Sequence, residues 1–164
     1  MSADLPAHKF LDERSIPYTR LSFPPTTEKG AAAVARSLGC REGQMVKTLI
    51  FEADTGERVL VMLGASSNAV SGHLKRAIGS RNIRLAAPEA VLETTGYEIG
   101  SIPPFHWQPP GFRTFIDAIL MEEDVLGVGA GVWGNEIMIA PEDVVRATGA
   151  AVVNLSDRSR PAFE

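Results

Sequence analysis

Along the chain the spacing of apolar positions switches between a helical and a strand period, and the switches mark the elements. Leu5 to Arg14 reads as a short helix with Phe10 and Leu11 apolar among charges, and Pro17 stops it. Tyr18 to Phe23 predicts a strand that runs into the Pro24-Pro25 turn. Thr26 or Thr27 is placed to cap an Ala-rich helix through Leu38, with Gly39 as its stop. Met45 to Ala53 and Arg58 to Gly64 are apolar runs joined by Asp54-Thr55-Gly56-Glu57, a hairpin signal. Ser67 or Asn68 is positioned to cap a helix whose Val70, Leu74, Ala77 and Ile78 share one face and which ends at Gly79.

A short strand follows at Ile83 to Leu85, and Pro88 sits where a first helical turn accepts it, in a helix closed by Gly96. Residues 97–111 hold four prolines and cannot be regular structure. Phe112 to Asp117, Val125 to Gly129, Glu136 to Ala140 and Ala151 to Leu155 are the remaining strands, with a helix from Pro141 to Thr148 before the last. Strands interspersed with helices, several strands hairpin-joined, predict one α+β domain over 1–164 rather than an alternating parallel sheet.

Composition narrows the class. The 164 residues are 45% hydrophobic and 22% charged, ordinary globular usage for one domain with a real core. One cysteine supplies neither an internal disulfide nor a Cys-rich metal cluster. The first ten residues show no signal-peptide pattern, and no apolar run is long enough to cross a bilayer, so a soluble cytoplasmic protein is expected. The net charge of −4 argues against a protein that coats nucleic acid. Between Glu57 and Glu89, however, Arg58, Lys75, Arg76, Arg81 and Arg84 stand without an acidic residue. Such a patch can hold a few phosphates; it also fits the wet face of an amphipathic helix.

Most candidate chemistry falls away on inspection. Gly129-Ala-Gly131-Val-Trp-Gly134 matches the GxGxxG fingerprint, but a strand-like segment follows where dinucleotide binding needs a helix, so a tight turn is expected. Cys40 follows a helix stop and fits a small buried hydrophobe. His8, His73 and His106 lack metal-ligand spacing, and His8 and His73 are expected on helix surfaces. His106, in the proline-rich loop, could act near neutral pH or simply pack. Serines 66, 67, 101 and 156 lack a nucleophile-elbow context.

Two features remain. Lys47 lies mid-strand, sharing one face with Met45, Leu49 and Phe51 while Val46, Thr48 and Ile50 occupy the other. A lysine in such company borders a cleft or meets an anion; the alternative is a lysine snorkelling from the strand end. The second is Gly100-Ser-Ile-Pro-Pro104-Phe105. Its glycine permits close backbone approach and its prolines stiffen the loop, so the remaining amides can be aimed at a ligand. A rigid surface turn would look the same.

Taken together, GQMVKTLIF, VLVMLGA, LKRAIG with NIRLAAPEAV, TGYEIGSIPPF, FIDAIL and VGAGVWGNEIMIAPEDVV resemble the YbaK/ProX family of aminoacyl-tRNA editing domains, over residues ~20 to 155. The resemblance implies a compact α+β fold on a mixed, barrel-like β-sheet flanked by helices. It implies trans-editing hydrolysis of the ester between a small wrong amino acid and a tRNA 3′ end, commonly tRNA(Pro). In that picture Lys47 holds the acceptor end or the acyl group, and Gly100, Ser101, Ile102, Pro103 and Pro104 form the catalytic loop. Thr48, Phe105, His106, Gly129, Ala130 and Gly131 are the expected substrate-binding residues, and Lys75, Arg76, Arg81 and Arg84 the expected tRNA-binding residues.

The expected partners are the acceptor end of a mischarged tRNA and an aminoacyl-tRNA synthetase, with neither membrane nor DNA. No metal or organic cofactor is required, since an activated ester needs positioning and oriented dipoles rather than a dedicated nucleophile. Two positions depart from the family pattern: His106-Trp107 follows the loop's Phe where many relatives have glycine, and the loop begins GS where many begin GG. Both bear on which amino acid is accepted, and alanine, cysteine, serine, threonine and a non-protein amino acid stay open. A non-catalytic tRNA-binding module of the same fold and a small-molecule ester hydrolase are the competing functions.

Overall fold

The computed structural model describes residues 4–156. Helix α1 (Pro6–Glu13) and strand β1 (Thr19–Ser22) are followed by α2 (Ala31–Leu38), β2 (Val46–Ala53) and β3 (Arg58–Gly64). Then come α3 (Ser71–Ile78), β4 (Ile83–Leu85), α4 (Pro88–Thr95) and β5 (Thr114–Asp117). Strands β6 (Leu126–Gly129) and β7 (Asn135–Ile139), helix α5 (Pro141–Thr148) and β8 (Ala151–Val153) complete the chain.

Most elements fall where the pattern places them, and two helix starts do not. The segment at Thr26-Thr27 is a turn, closed by the Thr27 amide on the Pro24 carbonyl at 2.8 Å, and α2 starts only after Gly30 at φ +121°. Residues 67–70 also stay out of α3. The Ser67 amide turns back on Gly64, and the Val70 amide donates to the Leu155 carbonyl at 2.8 Å. The chain end thus captures the backbone that the cap pattern assigned to a helix, which is a tertiary override of a local signal.

The strands form two sheets instead of one barrel-like sheet. One is antiparallel, in the order β1-β7-β6; the other is mixed, in the order β4-β2-β3-β5-β8. The β3–β5 and β5–β8 pairs are parallel, and β2–β3 is an antiparallel hairpin with Lys47 opposite Leu63. Among the described residues a parallel bridge, Met45 to Gly127, joins the sheets. There the Met45 side chain lies so close over Gly127 that a Cβ would come within 2.6 Å of it, so the approach holds where one glycine stands.

Alternation along the strands divides the core. Met62 and Ile116 of the larger sheet pack on Leu126, Val128, Ile137 and Ile139 of the smaller, with Leu11 and Val144 from α1 and α5 sealing the ends. Val59, Val61, Leu63, Leu49 and Phe51 lie beneath Leu74 and Ile78 of α3. Ile50 and Leu60 face the other way, onto Val91 of α4 and Ile102. His8, expected on a surface, is buried in this frame: the register of α1 turns it onto Tyr18, with stacked rings 5.8 Å apart, and its Nδ1 accepts the Leu5 amide. Burial holds its pKa below the usual histidine value.

Candidate active site

A cavity of about 630 Å3 opens at the start of β2, between α2, the β6–β7 sheet and the loop after α4. Its lining includes Lys47, Thr48, Gly100, Ile102, Gly129 and Glu136. Two segments that are some fifty residues apart, the lysine strand and the Gly100 loop, therefore meet in one place.

Lys47 stands on the same side of β2 as Leu49 and Phe51, the side α3 covers. Its ammonium donates to the Ser67 carbonyl at 2.6 Å. Burial lowers its pKa from the ordinary lysine value, while Glu42 at the rim works in the opposite direction. A lysine kept in an apolar wall by one carbonyl retains further donor hydrogens for a ligand oxygen. Beside it the Thr48 hydroxyl is buried and has no partner among the described residues.

The Gly100 loop is held rigidly. Ile102 is 3% exposed and plugs the cluster of Ile50, Leu60 and Val91. The Gly131 amide donates to the Ser101 carbonyl at 2.8 Å, the Trp107 indole to the Pro103 carbonyl at 2.6 Å, and the Gln108 side chain to the Pro104 carbonyl at 2.7 Å. Prolines 103 and 104 have no amide hydrogen, and the amides of Gly100 and Ile102 make no hydrogen bond among the described residues. Gly100 and Ile102 line the cavity together with Lys47, and unengaged backbone amides beside an ammonium are the kind of parts that can stabilise a developing oxyanion.

The hairpin glycines have a packing role. At Gly129 a Cβ would lie 2.8 Å from the Ile102 carbonyl oxygen, and at Gly131 it would lie 2.7 Å from the Tyr97 ring. Tyr97 in turn holds His106, hydroxyl to Nε2 at 2.6 Å, and His106 takes a left-handed backbone at φ +80°. Burial lowers the His106 pKa, which keeps the ring neutral near pH 7. His106 is thus a strut behind the loop, outside the cavity lining, and so are Phe105, packed in the core against Phe10 at 5.6 Å, and the buried Ala130.

Lys75, Arg76, Arg81 and Arg84 are exposed and do not line the cavity. Arg84 is ion-paired with Glu52, which also binds Arg58. Because α3 covers the face from which Lys47 projects, Lys75 and Arg76 lie on the same side of the sheet as the lysine. Cys40 packs beside α2 and does not line the cavity. Among the described residues no group of three His, Cys, Asp or Glu is placed to hold a metal ion.

Four charged or aromatic lining residues went unread in the sequence. Lys29 sits 3.8 Å over the Trp133 ring at the mouth, Glu42 stands at the rim, and Glu136 projects from β7. Glu136 begins the apolar run Glu136-Ile-Met-Ile139, so the criterion that singled out Lys47, a charge in an apolar strand, applies to it as well.

The model of the aminoacyl-tRNA editing domain matches residues 11–147. A candidate Cys-tRNA(Pro)/Cys-tRNA(Cys) deacylase of Enterococcus faecalis, EbsC, is 23% identical over 93% of each chain. The multifunctional Ser/Thr-tRNA deacylase ProXp-y of Escherichia coli is 30% identical over 74% of this chain and 75% of its own. The crystal structure of a candidate trans-editing enzyme for prolyl tRNA synthetase superposes with a TM-score of 0.83 at 26% identity, covering 95% of this chain and 99% of the other.

Proposed function

The chain belongs to the aminoacyl-tRNA editing domain family, and we propose that it is a deacylase that hydrolyses the ester of a mischarged tRNA, tRNA(Pro) or a related tRNA carrying a small wrong amino acid. The observation that carries this reading is the meeting of Lys47 with the free amides of Gly100 and Ile102 in one cavity. A volume of about 630 Å3 suits an aminoacyl group with its terminal nucleoside.

In the proposed reaction the ester carbonyl points at the Gly100 and Ile102 amides, and Lys47 supports the carbonyl or the acceptor-end phosphate. Water adds to the ester carbon, and the amides stabilise the negative charge that develops on the carbonyl oxygen. The tetrahedral intermediate then collapses. The carbon–oxygen bond to the ribose breaks, the ribose oxygen takes a proton, and free amino acid and tRNA leave. No side-chain nucleophile is needed, because the ester is already activated and the site contributes position and fixed dipoles. The acceptor stem runs over α3, where Lys75 and Arg76 meet its phosphates, with Arg81 beyond the helix. A synthetase that makes the mischarged tRNA supplies the substrate.

The test is deacylation of tRNA(Pro) charged with alanine, cysteine, serine or threonine, by the wild type and by Lys47→Ala. Clearance of at least one species, abolished in the variant, supports the reading and names the amino acid. Binding of tRNA without turnover of any species would replace it with a non-catalytic binding module.

A further inference from the structure

We propose that Glu136 is the anchor for the α-ammonium of the aminoacyl group, a recognition site that rests on the deacylase reading of the same cavity. Glu136 is the second residue of β7 and lines the cavity, and its cross-strand partner on β6 is Gly129. No side chain stands opposite the carboxyl; the backbone of Ser101 and Ile102 fills the place that a Cβ at Gly129 would take.

The Glu136 carboxyl makes no hydrogen bond or ion pair among the described residues. The other partly buried acids do: Glu52 holds Arg58 and Arg84, Glu123 holds Arg41 and Asp143 holds Arg146, while the fully buried Asp117 holds the Leu155 amide and the Ser156 hydroxyl. Burial with no compensating charge pushes the Glu136 carboxyl up to about 8. The cations of the cavity are engaged elsewhere, Lys47 on the Ser67 carbonyl and Lys29 on the Trp133 ring. A carboxyl placed this way is costly to the fold and suited to a cation brought by the ligand.

The ligand carries one in a fixed place. Every aminoacyl ester has an ammonium on the carbon next to the ester carbonyl, so its anchor must stand close to the groups that hold that carbonyl. Gly129, directly opposite Glu136, abuts the loop, because its missing Cβ would lie 2.8 Å from the Ile102 oxygen. Glu136 is therefore one strand away from the loop whose amides face the carbonyl. Arrival of the ammonium favours the ionised carboxyl, which releases the proton it holds in the free protein, and gives it the hydrogen bonds that it lacks there. Specificity for a free amine follows, whichever small side chain the cavity accepts.

The test compares alanyl-, cysteinyl-, seryl- and threonyl-tRNA(Pro) with their N-acetyl derivatives, for wild type, Glu136→Gln and Glu136→Asp, each checked for folding by circular dichroism. The wild type should prefer the free amine of its substrate by about tenfold or more, expressed in KM. Glu136→Gln should lose that preference with kcat nearly unchanged, and Glu136→Asp, which keeps the charge, should restore part of it. Equal action of the wild type on free and acetylated species, or a preference that survives Glu136→Gln, overturns the proposal. A fall in kcat alone, the same on both substrates, also overturns it and makes Glu136 a proton-transfer group. Failure of the wild type on every free-amine species would instead remove the deacylase reading, and this site with it.

Discussion

The amide of Gly131 donates to the carbonyl of Ser101 at 2.8 Å, and through that bond the β6–β7 hairpin holds the loop that carries the free amides. Gly131 sits at φ +104°, and a Cβ there would meet the Tyr97 ring at 2.7 Å, while Tyr97 itself is tied to His106. Gly131→Ala is expected to destabilise the protein by roughly 1–3 kcal/mol, from backbone strain and the displaced ring. It should also slow deacylation beyond what lost folding explains. Urea unfolding alongside kinetics at a temperature where the variant is folded separates the two. Full activity would mean that the loop keeps its shape without this bond.

Lys47 separates activity from stability. It is a charge held in an apolar wall by one carbonyl, and burial already disfavours its ionised form. Lys47→Met should stay within about 1 kcal/mol of the wild type in stability. Its kcat/KM should nevertheless fall by about 10²–10³, as for loss of one group that stabilises an oxyanion. Single-turnover deacylation and thermal unfolding are the measurements, and a variant that is both stable and active would remove Lys47 from the mechanism.

The basic face of α3 is testable by salt. Replacing both Lys75 and Arg76 by Glu should weaken tRNA deacylation and flatten its dependence on ionic strength, since each phosphate contact contributes about one unit to the slope. Hydrolysis of a small aminoacyl ester should be spared. Unchanged tRNA kinetics would put the acceptor stem on another surface.

Asp117 closes the fold. It is fully buried, and its carboxylate accepts the Leu155 amide at 3.0 Å and the Ser156 hydroxyl. Asp117→Ala leaves both donors without that partner, and a loss of about 2–4 kcal/mol is expected. The segment at 67–70 should loosen with it, because Val70 hydrogen-bonds Leu155. Amide exchange at Val70 checks this, and protection equal to the wild type would refute it.

Glu136 gives stability a pH dependence of known sign. Its folded pKa is raised from 4.5 to about 8, so in the window between these values the folded protein holds a proton that the unfolded chain releases. Stability therefore falls as pH rises through this window, with a slope of at most about 1.4 kcal/mol per pH unit from this group, and levels off above it. Glu136→Gln should lack that slope. Unfolding midpoints of both proteins across the window decide, and identical pH profiles would show that the carboxyl is solvated.

Local order was legible in the sequence where the cause is local. The Asp54-Thr55-Gly56-Glu57 turn sets the β2–β3 hairpin, Pro88 and Pro141 open α4 and α5, and Gly39, Gly79 and Gly96 end helices in the left-handed region. Lys47 stood out because a strand with two apolar faces has no plain place for an ammonium. The starts of α2 and α3 were not legible, because the hydrogen bonds that hold Thr27 and Val70 out of a helix are a tight turn and a contact with Leu155 from the far end of the chain.

What the sequence by itself determined is the set of parts: an α+β chain, a lysine with no ordinary place, a stiff loop with few amides, and a motif order that resembles an editing domain. Tertiary structure alone decided which parts meet. Thr48 and Gly129 reach the cavity while Phe105, Ala130 and His106 stand behind it, because the direction of each side chain depends on packing between sheets. It also decided that the strands make two sheets bridged at Gly127, and that Glu136 stands opposite a glycine with no partner. Cross-strand register is set by contacts between residues distant in sequence, and local period carries no information about them.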